Sequence, residues 1–183
     1  MYLCSPFERK KIKKLLILLF LLACGLTASA QQMNCTFVQK KTIKATKKVI
    51  PGNGTVQFTA PDKLTMTYEV PEGEYLIIDG NQLKTCVKGK AMTIDTAKNS
   101  VMRKMRNTLL DCITGDYEKA AKENDATLIV EDKGDVKRVA MMAKQVRPSG
   151  YAKIIIDYGK KGLPVRMVLD EFSGIETEYT FKY

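Results

Sequence analysis

Residues 55–68 read TVQFTAPDKLTMTY, and this stretch decides the class of fold that the chain can adopt. Apolar side chains occupy alternate positions on both sides of a Pro-Asp pair, with Val56 and Phe58 before it and Leu64 and Met66 after it. Strict alternation is typical of a β-strand with one buried face, and turn residues between two such strands indicate an antiparallel pair. The stretch therefore predicts one unit of an antiparallel sheet whose apolar side chains share a face.

The same alternation extends outward through most of the chain and is interrupted by short clusters of turn residues. It predicts eleven strands, among them a long first strand over 35–49 that ends in a turn at 51–54. So many strands are too much sheet to stay flat. We therefore expect a mainly β fold in which a strongly curled sheet encloses an apolar interior.

A helical period replaces the alternation once, after the sixth predicted strand. Apolar residues recur at helical spacing over 97–113, which predicts an amphipathic helix that begins at a cap formed by Asp95 or Ser100 and ends at Gly115. A short second helix is predicted over 116–124. These inserted helices would plug part of the interior.

The N-terminus has the composition of an export signal. Five basic residues precede an uncharged apolar run over 15–22, and Ala28 and Ala30 stand where a signal peptidase cleaves. The run is too short to serve well as a retained membrane anchor. We therefore predict a signal peptide over 1–30 and a mature domain over 31–183.

Cys24 leaves a second outcome open. Residues 21–24 read LLAC and resemble a lipobox, in which the cysteine becomes the acylated first residue of a lipoprotein. The main prediction is a soluble exported protein, and a membrane-anchored lipoprotein is the alternative.

Composition excludes several classes of function. The chain contains no His and no Trp. The absence of His removes Ser-His-Asp and Cys-His nucleophiles, His-ligated metal sites and the usual general base near neutral pH. The sequence also lacks HExxH, GxSxG, phosphate-binding and calcium-loop motifs. We predict no enzymatic activity, no cofactor and no metal site.

Charge and cysteine content give weaker constraints on function than the missing histidine does. The chain has 30 Lys+Arg against 20 Asp+Glu, and 25 against 19 without its first thirty residues. The basic residues are spread along the strands without interleaved aromatic residues, so nucleic acid is not an expected partner. Cys35, Cys86 and Cys112 are compatible with one disulfide and a free thiol or with three buried thiols, and the sequence does not choose between them.

Methionines in the strands and the long helix suggest an adaptable apolar interior. Met fills ordinary cores, and it is also frequent at surfaces that accommodate varied apolar ligands. Ligand pockets often lie in the mouths of barrels. The curled sheet and the methionines together predict a cavity for acyl chains. Its candidate lining residues are Val56, Phe58, Leu64, Met66, Tyr68, Leu76, Ile78, Met102, Met105, Leu109, Ile154, Ile156, Met167, Leu169 and Phe181.

Several short motifs occur in a fixed order along the chain. They are Phe37-x-Gln39-Lys40, Gly54-x-Val56, Pro61-x-x-Leu64, Tyr68 and Asp79-Gly80-x-x-Leu83, followed by Ile154–Asp157 and Gly162-Leu163-Pro164. In this order they resemble the bacterial periplasmic outer-membrane lipoprotein carriers of the LolA type, over about residues 35–183. The resemblance implies an unclosed, strongly curved antiparallel β-barrel of about eleven strands with a helical lid.

The resemblance also implies a function and partners. Such a protein is a periplasmic, monomeric and non-enzymatic shuttle. It takes acylated lipoproteins, or lipids, from an inner-membrane lipoprotein-releasing transporter and passes them to an outer-membrane acceptor. Two alternatives keep the same fold. One is the acceptor itself, anchored in the outer membrane through an acylated Cys24, and the other is a periplasmic regulatory domain that senses lipoproteins.

Two departures from the family pattern concern the lid. The carriers have an Arg immediately before the Pro that corresponds to Pro61, and this Arg helps to hold the lid shut, whereas this chain has Ala60. The carriers also begin with a helix of several turns, but only residues 31–34 precede the first predicted strand here. We therefore do not transfer the latch to this chain, and we expect a smaller lid or a differently ordered N-terminus.

Overall fold

A computed structural model of the protein describes residues 31–183. The predicted signal peptide lies outside the described residues, as do Cys24 and the predicted cleavage site after Ala30.

Eleven antiparallel strands form one sheet that does not close on itself. The strands are β1 (Gln32–Ile43), β2 (Lys48–Thr59), β3 (Lys63–Val70), β4 (Tyr75–Asp79), β5 (Gln82–Val87), β6 (Lys90–Asp95), β7 (Ala126–Asp132), β8 (Lys137–Ala143), β9 (Tyr151–Tyr158), β10 (Pro164–Glu171) and β11 (Ile175–Lys182). Their order is β6-β5-β4-β3-β2-β1-β11-β10-β9-β8-β7, so β6 and β7 are its two edges. The predicted mainly β fold, with an open and curved antiparallel sheet and inserted helices, is confirmed.

Two helices connect the edge strands. Helix α1 spans Ser100–Thr114 and helix α2 spans Tyr117–Glu123, after a single 3-10 turn at Thr96–Lys98. The helices predicted over 97–113 and 116–124 are therefore confirmed in number and position. Because the chain must pass from one open edge of the sheet to the other, these helices are placed to cover the gap between the edges.

The start of α1 differs from the prediction, but its end does not. Asn99 caps the helix, since its side-chain oxygen accepts a hydrogen bond of 3.0 Å from the backbone N–H of Met102. Asp95 instead caps the preceding 3-10 turn, and Ser100 is already helical. Gly115 ends the helix as predicted, with a φ of 84° that glycine adopts without steric cost.

The first turn of the sheet is not where the sequence pattern put it. Residues 44–47 turn the chain between β1 and β2, whereas residues 51–54 continue β2. The predicted strand over 35–49 and the predicted turn after it are therefore wrong. Gly54 serves the sheet in another way. A Cβ at this position would lie 1.9 Å from the carbonyl oxygen of Thr67 on β3, so only glycine permits this close approach of the strands.

The inward faces of the strands form one core with the buried side of α1. The alternation in residues 55–68 is confirmed, since Val56, Phe58, Leu64 and Met66 are all buried. These side chains face inward together because β2 and β3 pair in register. The stretch that predicted the fold class is thus part of its core.

The opposite face of the sheet carries a cluster of ion pairs on β8 to β11. Arg138 donates two hydrogen bonds to the Asp157 carboxylate, at 2.7 and 2.8 Å. Arg166 lies 3.5 Å from the same carboxylate and 2.5 Å from Glu178. The hydrogen bonds from Arg138 are the main reason that the pKa of Asp157 lies below its ordinary value. The cluster links four adjacent strands on the side away from the core.

Candidate functional site

The inner face of the sheet and α1 enclose a cavity of about 630 Å³. Its inner end is bordered by Met33 of β1 and by Leu109 and Ile113 of α1, and Lys41 of β1 borders its other end. Met33 and Lys41 are eight positions apart on one strand, which corresponds to roughly 26 Å at about 3.3 Å per residue. The cavity is therefore long, with an apolar inner end and a polar outer end.

The fifteen predicted lining residues lie in three kinds of position: at the cavity, in the core, and at two other places on α1. Eight of them border the cavity: Val56, Met66, Tyr68, Leu76, Leu109, Met167, Leu169 and Phe181. Five others, Phe58, Leu64, Ile78, Ile154 and Ile156, are buried in the core. Met102 packs against that core, and Met105 borders a separate cavity of about 230 Å³ next to residues 147–150. Alternation identifies the inward face of a strand, but it does not tell which inward side chains meet a neighbour and which meet an empty space.

Sequence reasoning also missed parts of the wall. Thr177 and Tyr179 follow the inward alternation of β11, so the pattern itself was sufficient to identify them. Tyr151 carries no such signal. A register shift between β9 and β10 skips Ala152 and places Tyr151 opposite Glu171, on the inward face. Other apolar wall residues that were missed are Met33, Ile50, Pro51, Tyr75, Cys86, Val87 and Ile113.

Three aromatic rings pack together on the inward face of the sheet, and two of them, Tyr68 and Tyr179, border the cavity. The ring of Phe37 packs edge-on against Tyr68, with centroids 5.0 Å apart, and against Tyr179 at 5.7 Å. Gly54 lies between Phe37 and Tyr68 across the sheet, and its lack of a side chain lets the two rings meet. The hydroxyl oxygens of Tyr68 and Tyr179 are 3.3 Å apart. Burial raises the pKa of both tyrosines, so both are neutral phenols at neutral pH.

Charged residues of both signs surround the outer end of the cavity. They are Lys41, Glu72, Glu74, Lys88 and Glu171. The carboxylate of Glu74 accepts a hydrogen bond of 2.9 Å from the backbone N–H of Lys88, which ties the loop after β5 to the loop before β4. A ligand whose apolar part lies inside would keep its polar part among these charges.

The described part of the chain contains three free thiols and no disulfide. Cys35 and Cys112 are buried, whereas Cys86 is half-buried and borders the cavity. Burial raises the pKa of Cys35 to about 11 and also raises that of Cys112. Since the thiolate is the reactive form, these two buried thiols are the least reactive at neutral pH.

Arg106 of α1 contacts the turn between β2 and β3. Its side chain is only 11% exposed, and its Nη2 lies 3.6 Å from Oδ2 of Asp62. Its Nη1 donates a hydrogen bond of 2.8 Å to Asn107, while its Nε has no hydrogen-bond partner among residues 31–183. Asp62 lies two positions after Ala60, which stands where the carriers that the sequence resembles have their arginine. A charged contact between helix and turn is thus present here, but its arginine is on the helix.

No group of three or more acidic or cysteine side chains in residues 31–183 is arranged to hold a metal ion. No helix in this part of the chain has both the length and the apolar character needed to cross a membrane.

Comparison with known proteins bears on the family of the chain. Among solved structures, the chain is similar to a LolA superfamily protein from Nitrosomonas europaea, with 10% identity, 84% of each chain covered and a TM-score of 0.41. It is also similar to a DUF1329 family protein from Desulfovibrio piger, with 10% identity, 88% of each chain covered and a TM-score of 0.37. For the lipoprotein LppX from Mycobacterium tuberculosis the identity is 13%, the coverage is 82% of this chain and 85% of that one, and the TM-score is 0.36.

The family assignment does not depend on these distant structures. No curated protein matches the chain. The family model described as "Outer membrane lipoprotein carrier protein LolA" matches residues 28–183, a range that includes every described residue. The chain belongs to the LolA family of outer membrane lipoprotein carrier proteins.

Proposed function

We propose that the protein is a periplasmic carrier that holds the acyl chains of lipoproteins, or of lipids, in its cavity and delivers them to the outer membrane. The observation that carries this proposal is the long cavity, which is apolar at its inner end and charged at its outer end. An acyl chain gains about 0.8 kcal/mol for each CH₂ that leaves water. A carrier therefore needs an apolar enclosure of this kind, and family membership supports the same class of ligand.

The size of the cavity favours one acyl chain at a time. Its volume of about 630 Å³ falls within the roughly 300–1,000 Å³ of pockets that enclose a single small-molecule ligand. One long acyl chain belongs to this size class. A ligand with several chains would need α1 to move away from the sheet, and the contact between Arg106 and Asp62 would then have to break.

The proposed route follows the family. The predicted signal peptide would export the chain, an inner-membrane lipoprotein-releasing transporter would load it, and an outer-membrane acceptor would unload it. The protein would act as a monomer and without chemistry on its ligand. Release favours an adaptable wall, and Met33, Met66 and Met167 border the cavity.

Cys86 offers a direct test of this proposal, because it is the half-buried thiol at the cavity. In the exported protein a maleimide should modify Cys86 well before Cys35 or Cys112. A saturating ligand should then slow the reaction. With methyl palmitate at ten times its Kd, about a tenth of the protein stays empty, so we expect a rate about tenfold lower. The Cys86→Ser variant supplies the background rate. A rate of Cys86 labelling that is the same with and without the ligand would contradict the proposal.

Residues 21–24 favour one second candidate, the outer-membrane acceptor. Native mass spectrometry of the protein purified from its own envelope separates the two roles. A chain that begins at Gln31 with a bound lipid or acylated peptide supports the carrier. A chain that begins at an acylated Cys24 supports the acceptor.

A further inference from the structure

Four tyrosines border the cavity, and two of them, Tyr68 and Tyr179, form a hydroxyl pair that leaves one hydrogen-bond donor unused. Tyr68 and Tyr179 both border the cavity, and their hydroxyl oxygens lie 3.3 Å apart. Each phenol carries one proton. One O–H can therefore bridge the two oxygens, while the other has no acceptor among residues 31–183. Tyr68 and Tyr179 are half-buried. A hydroxyl without a hydrogen bond in apolar surroundings costs free energy, so a ligand that displaces water from this part of the cavity binds best when it provides an acceptor here.

The pair lies where the apolar part of the cavity gives way to the charged part. Tyr179 is opposite Gln39 of β1. Gln39 is two positions before Lys41 and six positions after Met33 on that strand. Six positions correspond to roughly 20 Å of strand at about 3.3 Å per residue. A chain whose tail lies at Met33 would thus bring the group at its other end to the tyrosines, with its head among the charges around Lys41.

We infer that Tyr68 and Tyr179 form a subsite for the neutral carbonyl group, ester or amide, through which an acyl chain is attached to its head group. This inference rests on the proposed acyl-carrier function and specifies the ligand of that same cavity. The subsite fixes how deeply the chain enters, because a carbonyl placed elsewhere would leave the free O–H unpaired. It also distinguishes an acylated ligand from a plain hydrocarbon of the same length.

The test compares methyl palmitate with hexadecane, which has a similar apolar chain but no acceptor. Their Kd values are measured through protection of Cys86 in the exported protein, for the wild type and for Tyr68→Phe, Tyr179→Phe and the double variant. Tyr183→Phe is the matched control, since its hydroxyl bonds to the Pro164 carbonyl and does not border the cavity. Phenylalanine keeps the ring and removes only the hydroxyl.

The expected results are not additive. The wild type should bind the ester between about two- and tenfold more tightly than the alkane, the range that one net hydrogen bond allows. Each single variant should keep most of this preference, because the remaining hydroxyl then has a free proton. The double variant should lose the preference while its affinity for hexadecane stays unchanged. It should also fold well, since replacing both partners of a hydrogen bond by apolar groups is nearly neutral for stability.

The possible failures are distinguishable. Equal affinity of the wild type for ester and alkane would overturn the subsite and leave the carrier proposal standing, as would an ester preference that survives in the double variant. If the wild type binds neither the ester nor the alkane, the carrier proposal itself is overturned.

Discussion

Among the glycines of residues 31–183, Gly54 has the least room for a side chain. A Cβ at this position would lie 1.9 Å from the carbonyl oxygen of Thr67 and 2.9 Å from Cα of Tyr68, and both of these atoms belong to the backbone. We expect Gly54→Ala to lower the free energy of unfolding by about 3 kcal/mol, the upper end of ordinary overpacking costs. Urea unfolding measures the change. Gly52→Ala is the matched control. Its loss should be smaller because the nearest atom, at 2.9 Å, is the flexible end of Gln39, and the nearest backbone atom, the carbonyl oxygen of Val70, is 3.0 Å away instead of 1.9 Å.

Leu76 tests the location of the proposed ligand. It lies on β4 and borders the cavity, whereas Val38 lies on β1 and is 48% exposed without bordering it. We expect Leu76→Asp to weaken acyl binding by more than about tenfold, because a carboxylate in an apolar enclosure is costly to cover. Val38→Asp should leave the Kd unchanged. Kd values from Cys86 protection provide the measurement, and equal effects of the two substitutions would place the ligand elsewhere.

For a single residue, the sequence predicts whether its side chain faces inward only where the strand keeps its regular alternation. Alternation placed Val56, Met66 and Tyr68 on the inward face, where the cavity lies. It could not place Tyr151, because a register shift between β9 and β10 reverses the face of that residue. It also could not separate Leu64, which is fully buried against its neighbours, from Met66 at the cavity wall, since both occupy the same phase of β3.

At the scale of elements, a charged contact joins α1 to the turn between β2 and β3. Loss of Asp62 would leave the nearly buried Arg106 guanidinium without its carboxylate. We expect Asp62→Ala to lower the free energy of unfolding by about 1–2 kcal/mol and to speed ligand exchange, because the helix would separate from the turn more readily. Asp79→Ala is the control. Its pair with Lys63, at 3.5 Å, is solvent-exposed and should contribute almost nothing.

Stopped-flow displacement of a bound fluorescent fatty acid measures the exchange rate. If Asp62→Ala and Asp79→Ala give the same unfolding and exchange results, Arg106 does not hold the helix.

The stabilisation from the ion pairs that join β8, β9 and β10 should depend on pH. Hydrogen bonds from Arg138 hold the pKa of Asp157 below its ordinary value of 3.8. Because the folded pKa is the lower one, the stabilisation is present above the unfolded pKa and is lost as the pH falls through the folded pKa. We expect Asp157→Asn to cost about 1–2 kcal/mol at neutral pH. The difference from the wild type should shrink below about pH 4.

Urea unfolding at several pH values between 2 and 7 checks this expectation. Asp135→Asn provides the comparison, since the pair of Asp135 with Lys160 is almost fully exposed. A difference between Asp157→Asn and the wild type that stays constant with pH would contradict the assignment.

At the scale of the whole molecule, the sequence predicted the architecture better than the cavity. The number of strands and the place of the helices follow from local periods, since each strand and helix is marked by its own pattern. The size of the cavity depends on the distance between α1 and the sheet. The spacing of apolar residues along the sequence does not predict that distance. The distance is set by contacts between distant parts of the chain, such as Leu109 beside β-strand residues and Arg106 beside the β2–β3 turn.

The cavity as a whole should therefore act as a ruler for acyl chains. In a series of methyl esters, each added CH₂ should strengthen binding by up to about 0.8 kcal/mol while it still finds apolar wall. The gain should stop when the chain reaches the inner end, where Met33, Leu109 and Ile113 close the cavity. Thermal unfolding with every ester at the same concentration checks this, because the rise in Tm then follows the Kd of each ester. At about 100 times Kd a ligand adds about 2.7 kcal/mol of stability, which corresponds to roughly 5–10 °C for a chain of this size. The Leu76→Asp variant should show a smaller rise at the same ester concentrations. A Tm that does not change with chain length in the wild type would mean that the acyl chain does not enter the cavity.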